Sequence, residues 1–278
     1  MTKGFDLLVA SFGRRIVVAT TVAVQPFRQW GERDFGRPNR DAKNGMLPPK
    51  LARIMVNLSS APLQGKILDP FCGSGTVLQE AWLRGYRNIE GSDLSEKAVA
   101  DSVKNVAWLK ARVPVFGRDA ADLGKKVLPN TIDAIVTEPE LGPPIPIRTE
   151  RELHRRVDGL TMLYRRFLKS AAPLLAPRGR IVMAWPVFHL GQSVQFLTTR
   201  DVVPPELHVV WPFHQWLPRT ARQTLVYERP GQIVGREVVL LEKRVAPPRT
   251  EQSFKGRDWS HRRTETRSRP PMRSRSRR

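Results

Sequence analysis

Residues 66–76 read Lys66-Ile-Leu-Asp-Pro-Phe-Cys-Gly-Ser-Gly-Thr76. A short apolar run ends on Asp69, glycines 73 and 75 supply a tight turn, and a helical pattern opens at Thr76. Glycine lets a backbone approach a ligand closely, and the first amides of a helix have no partners within it. Strand, glycine turn and helix in this order make a ligand cradle. It is not the dinucleotide form, because Gly-x-Gly-x-x-Gly would need glycine where Leu78 stands. Nor is it a phosphate loop, since no Gly-Lys-Ser/Thr follows.

Outward from this motif the pattern alternates. Lys66–Asp69, Asn88–Asp93, Val113–Phe116, Asp133–Thr137 and Arg180–Trp185 read as strands. Between them fall a helix over Val77–Leu83 and one that Ser95 caps, with Ala98, Val99, Val103 and Val106 at helical spacing. A long helix from Thr149 lines up Leu153, Val157, Leu160, Tyr164, Phe167, Leu168 and Ala171 on one face. Arg155, Arg156, Arg165 and Arg166 are left largely outside that face. Gln223–Tyr227 and Glu237–Glu242 flank a turn-forming Arg229-Pro-Gly-Gln and predict a terminal hairpin. The expectation is an α/β fold: a seven-stranded, mostly parallel sheet with an antiparallel terminal hairpin and helices on both faces.

The chain has 278 residues, 40% of them hydrophobic, enough to bury a large core. Its single cysteine, Cys72, excludes an intrachain disulfide framework and a Cys-rich metal site, and fits a reducing compartment. No apolar run approaches the ~20 residues of a membrane helix, and the first residues lack a secretory core. A soluble, cytoplasmic protein with no bound metal and no membrane partner is expected. Charge is the loudest bulk signal, with 47 Lys and Arg against 26 acids and a net +21. Residues 251–278 hold ten of those cations and three acids, so the remaining chain still carries +14. Such an excess favours a polyanion, and nucleic acid neutralises it by phosphate contacts.

Three segments follow from composition: an N-terminal β/extended segment over 1–40, the α/β body over 41–245, and an Arg/Ser-rich tail over 246–278. The tail is nearly free of aliphatic residues and is expected to be disordered. Its Arg262 and Arg263 suit an electrostatic arm on RNA. So do Arg219 and Arg222, in a loop where Trp211, Phe213 and Trp216 offer rings for base stacking. The same rings equally suit ordinary packing.

Candidate ligand contacts follow the strand ends. In a Rossmann-type sheet an acid at the end of the second strand accepts from ribose hydroxyls, which is where Asp93-Leu94 falls. Read alone, Asp93 serves equally well as a helix cap. Asp119, after the third strand, is placed to accept from an exocyclic amine, with the Ala120 amide beside it. Cys72 reads as a small turn-packing residue. After the fourth strand comes Thr137-Glu-Pro-Glu-Leu-Gly142.

These residues together resemble the tRNA guanine-N2 methyltransferase family, RNA methylases often joined to a THUMP RNA-binding domain. Asp69-Pro-Phe-Cys-Gly-Ser-Gly75 is similar to motif I of amino-methyltransferases. The stretch from Glu32 to Leu58, with Met46-Leu-Pro-Pro-Lys50 at its centre, resembles the family's segment before that motif. Leu225 to Glu237 resembles its terminal hairpin. The likeness runs over roughly residues 16–243. It implies a Rossmann-like class I methyltransferase fold and S-adenosyl-L-methionine as cofactor. The implied cofactor contacts are Asp69, Pro70, Phe71, Cys72, Gly73, Gly75, Thr76, Asp93, Leu94, Asp119 and Ala120, with Pro48, Pro49 and Lys50 over the methionine end. About 40 residues precede the Met46-Leu-Pro-Pro-Lys50 segment, too few for a complete THUMP domain, and Phe5–Val24 offers one or two strands.

The resemblance makes Glu138, Pro139, Glu140 and Leu141 the catalytic loop. The family's usual form is Asp or Asn, two prolines and an aromatic, so this loop departs at three of four positions. An exocyclic amine is a poor nucleophile, and a flipped base must be held with that nitrogen aimed at the methyl donor. Glu138 can accept from N2, and a carboxylate at Glu140 matches the paired N1–H and N2–H donors of guanine. The expected activity is N2-methylguanosine formation in tRNA. DNA N6-adenine or N4-cytosine methylation, and an inactive RNA-binding homologue, are the alternatives.

Overall fold

The computed structural model describes residues 6–40, 46–213 and 218–244. The Arg/Ser-rich tail and part of the aromatic loop, including Trp216, therefore lie outside the described residues, as do Arg262 and Arg263. Two strands, β1 (Leu7–Phe12) and β2 (Arg15–Thr20), pair antiparallel as a separate hairpin around Gly13, whose φ is +59°. A helix α1 (Phe27–Phe35) follows and is bound to the body, because Arg33 Nε donates to the buried Glu80 at 2.6 Å. The sequence reading had not anticipated α1.

The body is one sheet with strand order β10-β11-β7-β6-β3-β4-β5 along its main path. Its strands are β3 (Ile67–Asp69), β4 (Ile89–Asp93), β5 (Val115–Gly117), β6 (Ile132–Thr137), β7 (Leu175–Leu190), β10 (Leu225–Tyr227) and β11 (Val234–Lys243). The five from β7 to β5 run parallel, and β11 and β10 close the edge antiparallel. The expected seven strands are therefore the main path. Two short additions were not foreseen: β8 (Ser193–Phe196) on β7 and β9 (Leu207–Val209) on β11.

Both faces of the sheet are covered, as a parallel sheet requires. One face takes α2 (Pro49–Leu58), α3 (Thr76–Leu83) and α4 (Glu96–Trp108), with Met55, Val56, Leu78, Ala81 and Val106 packed on Ile67, Val136, Val182 and Ala184. The other takes α5 (Glu150–Ala171), whose Leu160, Tyr164, Phe167 and Leu168 meet Ile135, Ile181, Met183 and Trp185. From Ile181 to Trp185 alternation along β7 sends odd positions to the α5 face and even ones to the other, the period-2 rule of a strand, while past Pro186 the even-numbered Phe188 falls on the α5 side. Among the described residues no helix is long and apolar enough to cross a membrane.

Several readings change in detail. Strand β7 is 16 residues long, not six. The expected strand ended at Trp185, yet the chain continues past Pro186, pairing Phe188 with Val234 on β11. At its other end the register steps from Leu175 to Arg180, and Arg178 at φ +62° absorbs the extra residues. In α2 the buried face is Leu51, Ala52, Met55 and Val56, and Ile54 faces solvent. In α4 the inward face is partly polar, with Ser102 and Asn105 buried and Val103 exposed. The cause is the glycine turn above it: Asn105 Nδ2 donates to Ser74 O at 2.8 Å and to Asn39 O at 2.9 Å. The face that meets a backbone loop must satisfy its carbonyls.

Candidate active site

The C-terminal ends of β3, β4, β5 and β6 meet at one cleft of about 880 Å³, which the start of β11 closes. Its floor is the turn after β3. Gly73 and Gly75 adopt φ of +50° and +81°, the left-handed region glycine enters without strain. A Cβ on Gly75 would stand 2.5 Å from Ser102 Oγ, so α4 packs against bare backbone there. Asp93, at the tip of β4, accepts from Gly73 N and from Ser95 N, each at 2.9 Å. Both of its expected roles are thus compatible: it ties the turn to the start of α4, and each oxygen keeps a lone pair toward the cleft. Asp119 accepts from Ala121 N at 2.8 Å, and Ala120 is buried beside it. Leu94 is exposed on the cleft wall.

Asp69 is buried at the end of β3, accepting from Thr137 Oγ1 at 2.7 Å and from Phe71 N at 3.3 Å. It therefore couples the glycine turn to the tip of β6, where the Glu138–Gly142 loop begins. Burial raises its pKa to about 7, against the pull of the Thr137 and Phe71 hydrogen bonds. Cys72 is buried on the cleft floor, and burial together with Asp69 and Asp93 pushes its thiol far up. A thiol so held is a packing group and no nucleophile.

Beyond Thr137 the chain passes Glu138 and the buried Pro139, then the exposed Glu140 and half-buried Leu141, and turns at Gly142 with φ +86°. Helix α5 holds this loop from below. Tyr164, fully buried, donates its hydroxyl to Glu140 O at 2.7 Å, and Arg156 donates to the carbonyls of Pro143 and Ile145 at 3.2 and 2.8 Å. Glu138 is only 11% exposed and is met by Arg236 of β11 through two parallel hydrogen bonds. Burial raises the Glu138 pKa, and Arg236 opposes that shift by hydrogen bonding and by its charge. Sequence reading gave Arg236 no role, although it stands in the stretch that resembled the terminal hairpin.

Other expected site residues fall elsewhere. Met46 and Leu47 line the cleft, and Pro48, Pro49 and Lys50 do not. Pro49 is instead the buried first residue of α2, where its fixed φ suits a helix start, and exposed Lys50 donates to Gln25 Oε1 at 3.1 Å. Arg222 is committed within the fold, pairing with the fully buried Glu237 at 2.5 Å and donating to Leu197 O. Arg219 is exposed. Trp211 and Phe213 pack edge to face with centroids 5.1 Å apart.

A parallel sheet with an antiparallel closing strand, a glycine turn after β3, and acids at the tips of β3 and β4 define a Rossmann-like methyltransferase. The chain belongs to UPF0020, the RMKL-like methyltransferase domain, whose family model matches residues 37–189. The tRNA (guanine(10)-N2)-dimethyltransferase of Methanothermobacter thermautotrophicus is 41% identical over 143 residues, 51% of this chain and 39% of that protein. The tRNA (guanine(6)-N2)-methyltransferase of Thermus thermophilus is 32% identical over 149 residues, 51% of this chain and 40% of that protein. The matches thus span about two fifths of these relatives' length. The crystal structure of TrmN from Thermus thermophilus superposes with a TM-score of 0.55 at 23% identity, over 88% of this chain and 61% of that one, and shares the fold.

The cleft fits S-adenosyl-L-methionine, the methyl donor of this class. Asp93 and Asp119 offer acceptors at two separate points for hydroxyl and amine donors, Leu94 and Ala98 give apolar surface between them, and the glycine turn leaves backbone exposed.

Proposed function

We propose that the chain carries out S-adenosyl-L-methionine-dependent methylation of RNA, forming N2-methylguanosine in tRNA. The observation that carries the reading is that Glu138 stands in the wall of the cleft, held by Arg236, with Glu140 exposed beside it and without a side-chain hydrogen bond among the described residues. The names of the relatives, both guanine-N2 enzymes on tRNA, point the same way.

The cofactor supplies a methyl group on a cationic sulfonium. The chain's part is to hold a flipped guanine so that its N2 faces that methyl. Glu140, with both carboxylate oxygens available, takes the N1–H and N2–H edge. Glu138 accepts the second N2 hydrogen through a lone pair that Arg236 leaves. As the N2–carbon bond forms and the carbon–sulfur bond breaks, N2 carries one proton too many. The Glu138 carboxylate, made more basic by burial, takes it. Leu141 gives the base an apolar face in place of an aromatic clamp. Outside the cleft, exposed Arg219 and the outer cations of α5, Arg151, Arg155, Arg165 and Arg166, supply phosphate contacts, joined by Arg262 and Arg263 of the tail.

Bulk unmodified tRNA incubated with methyl-labelled cofactor, then digested for nucleoside mass analysis, tests this reading. Labelled N2-methylguanosine is expected from the wild type, and a loss of at least about 100-fold from Glu138→Ala. Absence of that nucleoside, or equal rates in the two proteins, would overturn it.

A further inference from the structure

Arg37 lies beside the glycine turn with 3% of its surface exposed, and it makes no ion pair among the described residues. Its Nη1 donates to Thr76 Oγ1 at 2.6 Å and its Nη2 to the Met46 sulfur at 2.9 Å, while Nε has no hydrogen-bond partner among the described residues. Among the described residues, the acids near it are otherwise engaged or apart. Glu80 gives one oxygen to Arg33 at 2.6 Å and the other to Arg53 at 2.7 Å. Asp34 pulls on Arg37 only through space, and Arg40 adds a like charge. Burial drives the Arg37 pKa down, and the through-space pull of Asp34 and Glu80 opposes that shift without cancelling it.

A buried charge is stable when paired, and a guanidinium presents its donors in a fork that matches a carboxylate. Both groups that Arg37 touches, Thr76 and Met46, line the cofactor cleft. The cations of the cleft wall are already spent: Lys97 on Asp101, Arg118 on Glu90, and Arg236 on Glu138. S-adenosyl-L-methionine has one anionic group, the carboxylate of its amino-acid end. Asp93 and Asp119 are acceptors and cannot hold it.

We propose that Arg37 is the anion anchor of the cleft, binding the carboxylate of the cofactor's amino-acid end. The proposal rests on the reading of the cleft as a cofactor site. Arg37 thereby selects ligands that carry that end, and it contributes nothing to the adenosine half.

Two ligands separate these halves: S-adenosylhomocysteine, and methylthioadenosine, which keeps adenosine and thioether but lacks the amino acid. Their Kd values are measured by calorimetry on wild type, Arg37→Gln and Arg37→Lys, with thermal melts to confirm folding. Arg37→Gln is expected to weaken S-adenosylhomocysteine about 10-fold or more and methylthioadenosine less than about threefold, with Arg37→Lys recovering part of the loss. Equal weakening of both ligands in both variants would make Arg37 a support of the turn and overturn the proposal, as would unchanged binding of S-adenosylhomocysteine. If wild type binds neither ligand, the cofactor reading falls as well, an outcome distinct from the other two.

Discussion

Arg236 and Glu138, 98 positions apart in the chain, meet through Nε to Oε2 at 2.5 Å and Nη2 to Oε1 at 3.0 Å. The antiparallel register of β11 sets Arg236 opposite Pro186 on the extended part of β7, and its side chain reaches the loop that leaves the neighbouring β6. Two parallel bonds fix both the position and the rotation of the carboxylate, which a single bond would leave free to turn.

Removing one partner of a buried pair leaves an uncompensated charge and costs about 3–5 kcal/mol. Arg236→Gln should therefore lower stability in a denaturant melt by that order. It should also move the acidic limb of the pH–rate profile upward. Burial raises the Glu138 pKa, Arg236 holds it down, and without Arg236 the carboxyl loses its proton only at higher pH. A uniform loss of rate with an unshifted limb would assign Arg236 to folding alone.

Asp69 carries its own pH signature. Its pKa rises from an ordinary 3.8 to about 7 in the fold, so the folded state binds that proton more tightly than the unfolded chain. The stabilising contribution is complete below about pH 4 and is lost as pH rises through 7, at up to ~1.4 kcal/mol per pH unit. Asp69→Asn removes this titration. The stability difference between wild type and variant, from urea midpoints at pH 4.5 to 7.5, should fall as pH rises, and a constant difference would contradict the burial argument.

Gly73 and Gly75 should respond differently to alanine. At Gly73 a Cβ meets nothing within 4 Å, leaving only the left-handed strain of about 1–2 kcal/mol. At Gly75 the same strain is joined by a clash with Ser102 Oγ. Thermal melts should rank Gly75→Ala below Gly73→Ala, with Ser102→Ala recovering part of the gap in the double variant. Identical melting points would place the two glycines on equal footing.

Glu140 tests the recognition of guanine. In Glu140→Gln the two acceptors become one acceptor and a donor group, and the donors then face the N–H edge of the base. Losing one charge-assisted bond of about 1.5–3 kcal/mol predicts a fall of roughly 10- to 100-fold in kcat/KM on tRNA. Cofactor affinity should stay unchanged. If methyl transfer is also unchanged, Glu140 is a solvated loop residue.

Much of this site was legible in the primary structure because its parts are local. Asp69, Gly73 and Gly75 occur within seven residues, and a strand ending in a glycine turn before a helix has a short-range pattern. Asp93 and Asp119 follow from counting strand ends. The helix of Leu153 to Ala171 was read correctly because its apolar spacing is long and regular. The α4 face was misjudged at Val103 because spacing alone does not reveal that a helix packs against a polar backbone turn.

The sequence by itself determined the class of sheet, the glycine turn of the cleft and the place of the loop after β6 proposed here as catalytic, since periodicity and turn chemistry act over a few residues. Only the tertiary structure decided which cations meet which acids. It spent Arg222 on Glu237, aimed Arg236 at Glu138, and left Arg37 buried beside the cleft with no ion pair among the described residues. Such pairings depend on strand order and antiparallel register, which bring together residues whose separation in the chain carries no pattern.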